Sequence, residues 1–214
     1  MPDAKILLKF AATQVVVESY FSTPKPQWVQ GSNDYFSHDR RIEQRDEGVV
    51  VYDTFTNKTA ENLGIMHRHQ SNLGDTLQKL WLAGLEKPSA TGESRQPANC
   101  TTFGAADTWG LGFVASDDVF RVHCTNYAVD GSIGLADNNL VLPPGASYTA
   151  QWILVPVEAP DYYRFINTAR RFMGANFLID GGFAFLRGGK LTEAWSDDQV
   201  QRFLEYKSPK YVCA

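Results

Sequence analysis

"LVLPPGASYTAQWILVPV", residues 140–157, decides how the rest of the chain is read. Leu140 and Leu142 alternate into Pro144-Gly145, and Tyr148, Ala150, Trp152 and Leu154 alternate out of it. A period of two places alternate side chains on one face of a strand, and Pro followed by Gly suits the centre of a tight turn. The segment predicts a strand, a turn and a second strand, with Trp152 assigned to the core.

The same grammar extends in both directions. "KILLKF", "TQVVVESYF", "EGVVVYDTFTN" and "NLGIMHRHQ" precede it as β-branched or aromatic runs separated by polar turns. "GLGFVAS", "VFRVHCTNY" and "IGLADNNLVL" continue the series up to the quoted stretch. Strands at short intervals without intervening helices predict an antiparallel β-sandwich. Between them "EKPSATGESRQPAN", residues 86–99, has no periodicity and reads as a long surface loop.

After residue 158 the pattern changes. Pro160 and Asp161 supply a stop and an N-cap. Tyr162, Phe165, Ile166, Ala169, Phe172 and Met173 then recur at helical spacing, and Gly174 closes the helix. "FLIDGGFAFL" is strand-like and broken by Gly181-Gly182. Ser196 and Gln199 form a capping box for a second helix with Val200, Phe203 and Leu204 on its apolar face, Ser208-Pro209 ends it, and "KYVCA" opens another strand. Strand, helix and new strand are the opening of a βα unit. The expected organisation is a β-sandwich over 1–158, followed over 159–214 by a helical linker and the incomplete start of an α/β, barrel-type element. An apolar face around Phe177, Phe183 and Phe185 is expected to promote association if nothing covers it.

Composition narrows the function classes. The chain has 214 residues and a net charge of -4, which offers no electrostatic footprint for nucleic acid or an anionic membrane. No stretch reaches membrane-spanning length, and "MPDAKILLKF" is not a signal peptide because its apolar run is cut by Lys9. A soluble chain of unassigned compartment is expected. Cys100, Cys124 and Cys213 lack metal-type spacing and read as buried or incidental thiols, although Cys100 and Cys124 could pair across strands. Thirteen Phe, nine Tyr and five Trp suit both sheet packing and stacking on sugars.

"GVVVYDTFTNKTAENLGIMHRH", "GLGFVASDDVFRVH", "LVLPPGASYTAQWILVPV" and "DYYRFINTARRFMGANFLIDGGFAF" together resemble the N-terminal β-sandwich region of large bacterial glycoside-hydrolase-like proteins. In that family a galactose-mutarotase-like supersandwich precedes a (β/α)-barrel catalytic domain. The likeness covers most of residues 45 to 185 and contains no catalytic signature. It implies a non-catalytic accessory module that contacts carbohydrate, with carbohydrate and a downstream catalytic domain as partners.

Candidate site residues follow from loops and from one motif. Trp28, Trp81, Trp109 and Tyr35 sit in or beside loop-like segments and are candidates for a sugar-stacking platform, with core filling as the competing role. Trp109, between "DT" and "GLG", is the one expected to be most exposed. His67 and His69 point to one face of a strand if it is regular. With His123 they form a candidate set of divalent-metal ligands; otherwise no cofactor is expected. The same pair is the basis of an alternative reading, a sugar-active or metal-dependent sandwich enzyme, in which a His would act with a carboxylate such as Asp53, Glu18, Glu43 or Glu61. A structural or interaction domain without ligand is the third reading. Asp117-Asp118 reads as a turn rather than a catalytic pair, because neighbours on a strand face opposite ways.

Overall fold

Alternating burial builds strands along most of the chain in a computed structural model that describes residues 5–10, 13–177, 182–186, 188–207 and 209–213. The first strands are β1 (Lys5–Phe10), β2 (Thr13–Ser22), β3 (Trp28–Val29), β4 (Phe36–Arg45), β5 (Gly48–Asn57), β6 (Leu63–Gly64) and β7 (His67–Asn72). Then come β8 (Lys79–Leu82), β9 (Leu85–Lys87), β10 (Gly92–Ser94), β11 (Thr101–Ala105) and β12 (Gly110–Ala115). Helix α1 (Asp118–His123) leads into β13 (Cys124–Val129), β14 (Ser132–Asp137), β15 (Val141–Leu142) and β16 (Ser147–Val157). The remainder is α2 (Tyr162–Phe172), β17 (Gly182–Phe185), α3 (Lys190–Glu193), α4 (Asp197–Lys207) and β18 (Pro209–Cys213).

Two seven-stranded antiparallel sheets make the sandwich. The first runs β1-β2-β7-β14-β13-β10 with β3 beside β2, and the second runs β4-β5-β16-β12-β11-β8-β9. Val15, Val17 and Phe21 of the first sheet meet Val49, Val51, Phe55, Trp152 and Leu154 of the second in one apolar core. The expected mainly β, antiparallel sandwich is therefore the fold, and Trp152 lies fully buried in its core.

Turn chemistry sets the joints. Asp130 and Gly131 both have positive φ, 48° and 75°, as a two-residue hairpin between β13 and β14 requires. Gly145 at φ 71° follows Pro144, and Ala146 N–H donates to the Pro143 carbonyl at 3.1 Å, closing the expected Pro-Gly turn. The strands on either side of that turn then diverge. β15 pairs with β6, whereas β16 lies between β5 and β12 as a central strand of the second sheet.

Three segments differ from expectation. "VFRVH" is helix rather than strand: Asp117 caps α1, its carboxylate accepting from Phe120 N–H at 3.0 Å, and only Phe120 turns into the core. Tyr148 O–H at 2.5 Å and Gln151 N–H at 2.7 Å also donate to that carboxylate, so the Asp117-Asp118 step is a helix start rather than a plain turn. The 86–99 stretch contains two three-residue strands, β9 in part and β10, so it is not continuous loop.

Helix α2 forms as its apolar spacing demands, capped by Asp161, which accepts from Tyr163 and Arg164 N–H. It packs on the outer face of the second sheet, where Phe165 and Ala169 join Val50, Phe103, Val114, Ile153 and Val155 in a second apolar cluster. The Phe165 ring lies directly on Gly112: a Cβ there would meet ring carbon at 2.0 Å, so only glycine fits. Arg171 on the helix pairs with Glu47 in the β4–β5 turn. The sandwich unit consequently runs to Met173 and includes the helix, whereas the sequence placed its boundary at 158.

Residues from Gly174 onward form a second unit. Strands β17 and β18 pair in parallel with α3 and α4 between them, the geometry of a βα unit. Ser196 and Gln199 make the expected reciprocal capping bonds at 2.9 and 3.3 Å. Phe177, Phe183 and Phe185, the apolar residues singled out there, are 71%, 58% and 79% exposed. Of the expected "FLIDGGFAFL" strand, residues 178–181 lie outside the described residues, as do Ser208 and Ala214.

If α2 is part of the sandwich, Phe165→Ala removes a fully buried ring and costs about 3–5 kcal/mol in urea unfolding. A helix serving only as linker would lose less than about 0.5 kcal/mol, the range of surface substitutions.

Candidate functional site

All four histidines of the chain lie on a single network at the sandwich interior. In β7 the alternation sends His67, His69 and Ser71 inward and Arg68 and Gln70 outward. In β4 it sends Phe36 and His38 inward, and in β5 it sends Val51, Asp53 and Phe55 inward. Arg40 stands opposite Asp53 in the β4–β5 register, and its side chain is 2% exposed.

Asp53 is the hub. Its Oδ1 accepts from His38 Nε2 at 2.8 Å and Arg40 Nε at 2.7 Å; its Oδ2 accepts from Arg40 Nη2 at 2.9 Å and Trp152 Nε1 at 2.8 Å. The network then crosses to the first sheet. Arg40 Nη2 donates to Ser19 Oγ at 2.6 Å, and Ser19 lies 2.8 Å from His69 Nδ1. An Arg has only donors, so the Ser19 hydroxyl accepts from it and keeps its own hydrogen to offer to His69 Nδ1. With that bond made, the proton of neutral His69 belongs on Nε2, which faces His67 Nδ1 at 3.0 Å. His67 then carries its hydrogen on Nε2, 3.5 Å from Asp137 Oδ2, and half-buried His123 Nδ1 approaches the same oxygen at 3.1 Å.

Aromatic rings seal this chain of polar groups. His69 stacks on Trp152 with centroids 4.3 Å apart, and His67 lies between Phe55 and the edge of Phe120 at 5.5 and 4.7 Å. Burial in that shell holds His69 well below the ordinary histidine range; the nearby Asp53 charge offsets only part of it. Burial alone would push the Asp53 carboxyl up, but the His38 hydrogen bond, the Arg40 charge and the Arg40 hydrogen bonds outweigh it, so Asp53 sits far below the ordinary carboxylate range. Asp137 is lowered in the same way, chiefly by the approach of His67.

This geometry does not gather His67, His69 and His123 as metal ligands. His67 Nδ1 and His69 Nε2 face each other in a hydrogen bond, and His123 is turned to Asp137. Among the described residues no group of three His, Cys, Asp or Glu side chains is arranged to hold a metal ion. His67 and His69 are fully buried, with no surface open to solvent. Cys100 and Cys124 are buried free thiols.

The outward side of the same strands forms a different feature. Register aligns Glu18, Gln70, Gly134, Tyr127 and Glu93 in one row across the first sheet, and Tyr20, Arg68, Ala136 and Thr125 in the next. Ala136 is the small member in the middle of the second row, and a trough opens over it between polar walls. A Cβ at Gly134 would meet the His69 carbonyl at 2.1 Å, which fixes glycine there. The trough encloses about 390 Å³ and is lined by Arg68, Gln70, Glu93, Thr125, Tyr127 and Asn138, among others. Tyr127 O–H donates to Gln70 Oε1 at 2.7 Å across the Gly134 position of β14.

The aromatic candidates do not converge on one surface. Trp28 lies beside the trough, its ring 4.6 Å from the Arg68 guanidinium. Trp81 is half-buried and stacked on Tyr162 of α2 at 5.4 Å. Trp109, expected to be the most exposed, is half-buried, edge-on to Phe10 at 5.6 Å and packed on the core, as is Tyr35. Both are drawn in by apolar contact rather than left as a platform. The sequence reading passed over His38, Arg40, Ser19, Asp137 and the trough residues. For His38 and Arg40 the available signal was their period-two spacing with Phe36 opposite β5.

No family model matches the chain, and neither does any curated protein. Among solved structures it is similar to the Slr1438 protein of Synechocystis sp. PCC 6803 (7% identity, 72% of this chain and 66% of that one, TM-score 0.39). It is also similar to a galactose mutarotase-like protein from Lactobacillus casei ATCC 334 (11%, 71% and 72%, TM-score 0.38). A third likeness is to a candidate aldose 1-epimerase from Escherichia coli K12 (10%, 71% and 68%, TM-score 0.31). TM-scores below 0.5 assign neither activity nor ligand to this chain.

The buried network makes stability depend on pH with a defined sign. His69 is depressed, so below its ordinary value of 6.5 the unfolded chain takes up a proton that the folded chain refuses. The stabilisation is fully present above that value and is lost as pH falls, by up to about 1.4 kcal/mol per pH unit for one proton. Asp53 and Asp137 add a second loss below their ordinary value of 3.8. Urea unfolding between about pH 7 and 5 should show the first slope, and His69→Gln should flatten it. An unchanged slope in the variant would assign the effect elsewhere.

Proposed function

We propose that the sandwich is a carbohydrate-contacting module and that the trough on the outer face of the first sheet holds a sugar ring. The observation that carries this reading is a floor at Ala136 between polar side chains, with Arg68 and Gln70 of β7 facing Thr125 and Tyr127 of β13 and Glu93 of β10. A ring can lie flat there with donors and acceptors at its rim. Gln70 spends its carbonyl oxygen on Tyr127, leaving its NH2 group as a donor, while Glu93 and the Tyr127 oxygen offer acceptors. The cavity of about 390 Å³ falls within the size range of small-molecule sites. Trp28, beside Arg68, adds an apolar ring at the mouth.

A binding role is favoured over a catalytic one by what lines the trough. No histidine lines it, so a His–carboxylate pair for proton transfer at a sugar carbon is not assembled there. The parallel β17–β18 pair, with its exposed Phe183 and Phe185, supports a further reading that the module works beside an α/β catalytic domain of glycoside-hydrolase type.

Titration of the purified chain with a panel of mono- and oligosaccharides, followed by calorimetry, tests the site. Glu93→Gln and Gln70→Ala should each weaken binding about 10- to 100-fold, the worth of one or two hydrogen bonds to a charged or buried group. Trp109→Ala should leave affinity unchanged. The reverse pattern would move the site away from the trough, and absence of binding to any glycan would favour a scaffold domain.

A further inference from the structure

We propose that the sugar held in the trough carries an anionic group, a carboxylate or a phosphate, seated on Arg68; the inference rests on the trough being the sugar site. Arg68 is exposed on the outer face of β7, and its guanidinium lies over the Trp28 ring at 4.6 Å. Stacking fixes the plane of the group while leaving the N–H edges of the fork open. Among the described residues no carboxylate pairs with Arg68, and its neighbours in the register are Tyr20 and Ala136, neither of them acidic. Glu18, the nearest acid along β2, is engaged by Lys5 at 2.8 Å and by Tyr20 O–H at 2.7 Å.

The contrast with Arg40 makes the point. Both are arginines held over a tryptophan, Arg40 at 5.6 Å from Trp152 and Arg68 at 4.6 Å from Trp28. Arg40 has its carboxylate, Asp53, within the fold. Arg68 presents the same pre-arranged fork at a cavity whose other lining residues are uncharged except for Glu93 on the far strand, β10. A ligand complementary to this polarity places negative charge at the β7 wall and hydroxyl donors at the β10 wall. Neutral sugars satisfy only the second half.

The test is calorimetric titration of the full chain with glucose and galactose, their uronic acids and their 6-phosphates, repeated on Arg68→Met and Arg68→Lys. Methionine keeps an apolar stem against Trp28 without the charge, and at an exposed position it should leave thermal unfolding unchanged. At least one anionic sugar should bind about tenfold or more tightly than its neutral parent. Arg68→Met should remove that advantage, weakening anionic-sugar binding by more than neutral-sugar binding, and Arg68→Lys should restore part of it. The uronate and phosphate arms tell which anion is preferred. Equal affinity for neutral and anionic sugars, or an equal loss for both in Arg68→Met, would overturn the inference and leave the sugar site standing. Failure of every sugar to bind would instead remove the site itself.

Discussion

The Asp53 carboxylate has no access to water, and everything around it is arranged to meet that constraint. An uncompensated charge in an aromatic core would be prohibitive, so all of its bonds must come from the protein. Four donors supply them, from β4 and β16. The guanidinium that neutralises it reaches on to Ser19, and through Ser19 and two histidines the same network crosses to the opposite sheet. The interior is thus joined by directional polar contacts as well as by apolar packing. Apolar packing tolerates small slips; this network does not.

That specificity has a consequence on the outside of the molecule. A strand has two faces, and a slip of one residue exchanges them. β7 carries no apolar residue at its inward positions, which are His67, His69 and Ser71. Hydrophobicity therefore cannot hold its register, and the bonds of His69 to Ser19 and of Ser71 Oγ to the Val16 carbonyl do so instead. The reward of correct register is the outer face: Arg68 and Gln70 stand opposite Ala136 and Gly134, and the trough opens between them. The buried polar groups and the surface site are two sides of the same few strands.

How much of this can be read without coordinates follows from where the information is written. β5, β16 and α2 announce themselves because their inward residues are apolar at the right period: Val49, Val51 and Phe55; Ala150, Trp152 and Leu154; Phe165 and Ala169. β4 is hidden because its pattern is written in Arg40, Arg41, Glu43 and Arg45, and an edge strand with that content resembles a polar loop. The shared face of His67 and His69 is legible, but its direction is not, since alternation without apolar residues pairs side chains and leaves open which pair is buried. "VFRVH" satisfies both periods, and the Asp117 cap decides it. The trough cannot be seen at all along the chain, because Ala136, Gln70, Tyr127 and Glu93 come from four strands whose register is a tertiary fact.

The central claim is that Arg40 and Asp53 act as one unit on which both sheets depend, and a double-mutant cycle in urea measures it most directly. Arg40→Met and Asp53→Leu should each cost about 3–5 kcal/mol, because each strands a buried charge. The double variant, with no charge left to strand, should be more stable than the sum of the two losses by at least about 2 kcal/mol. Additive losses, within about 0.5 kcal/mol, would mean that the pair is incidental and that apolar packing alone sets the fold.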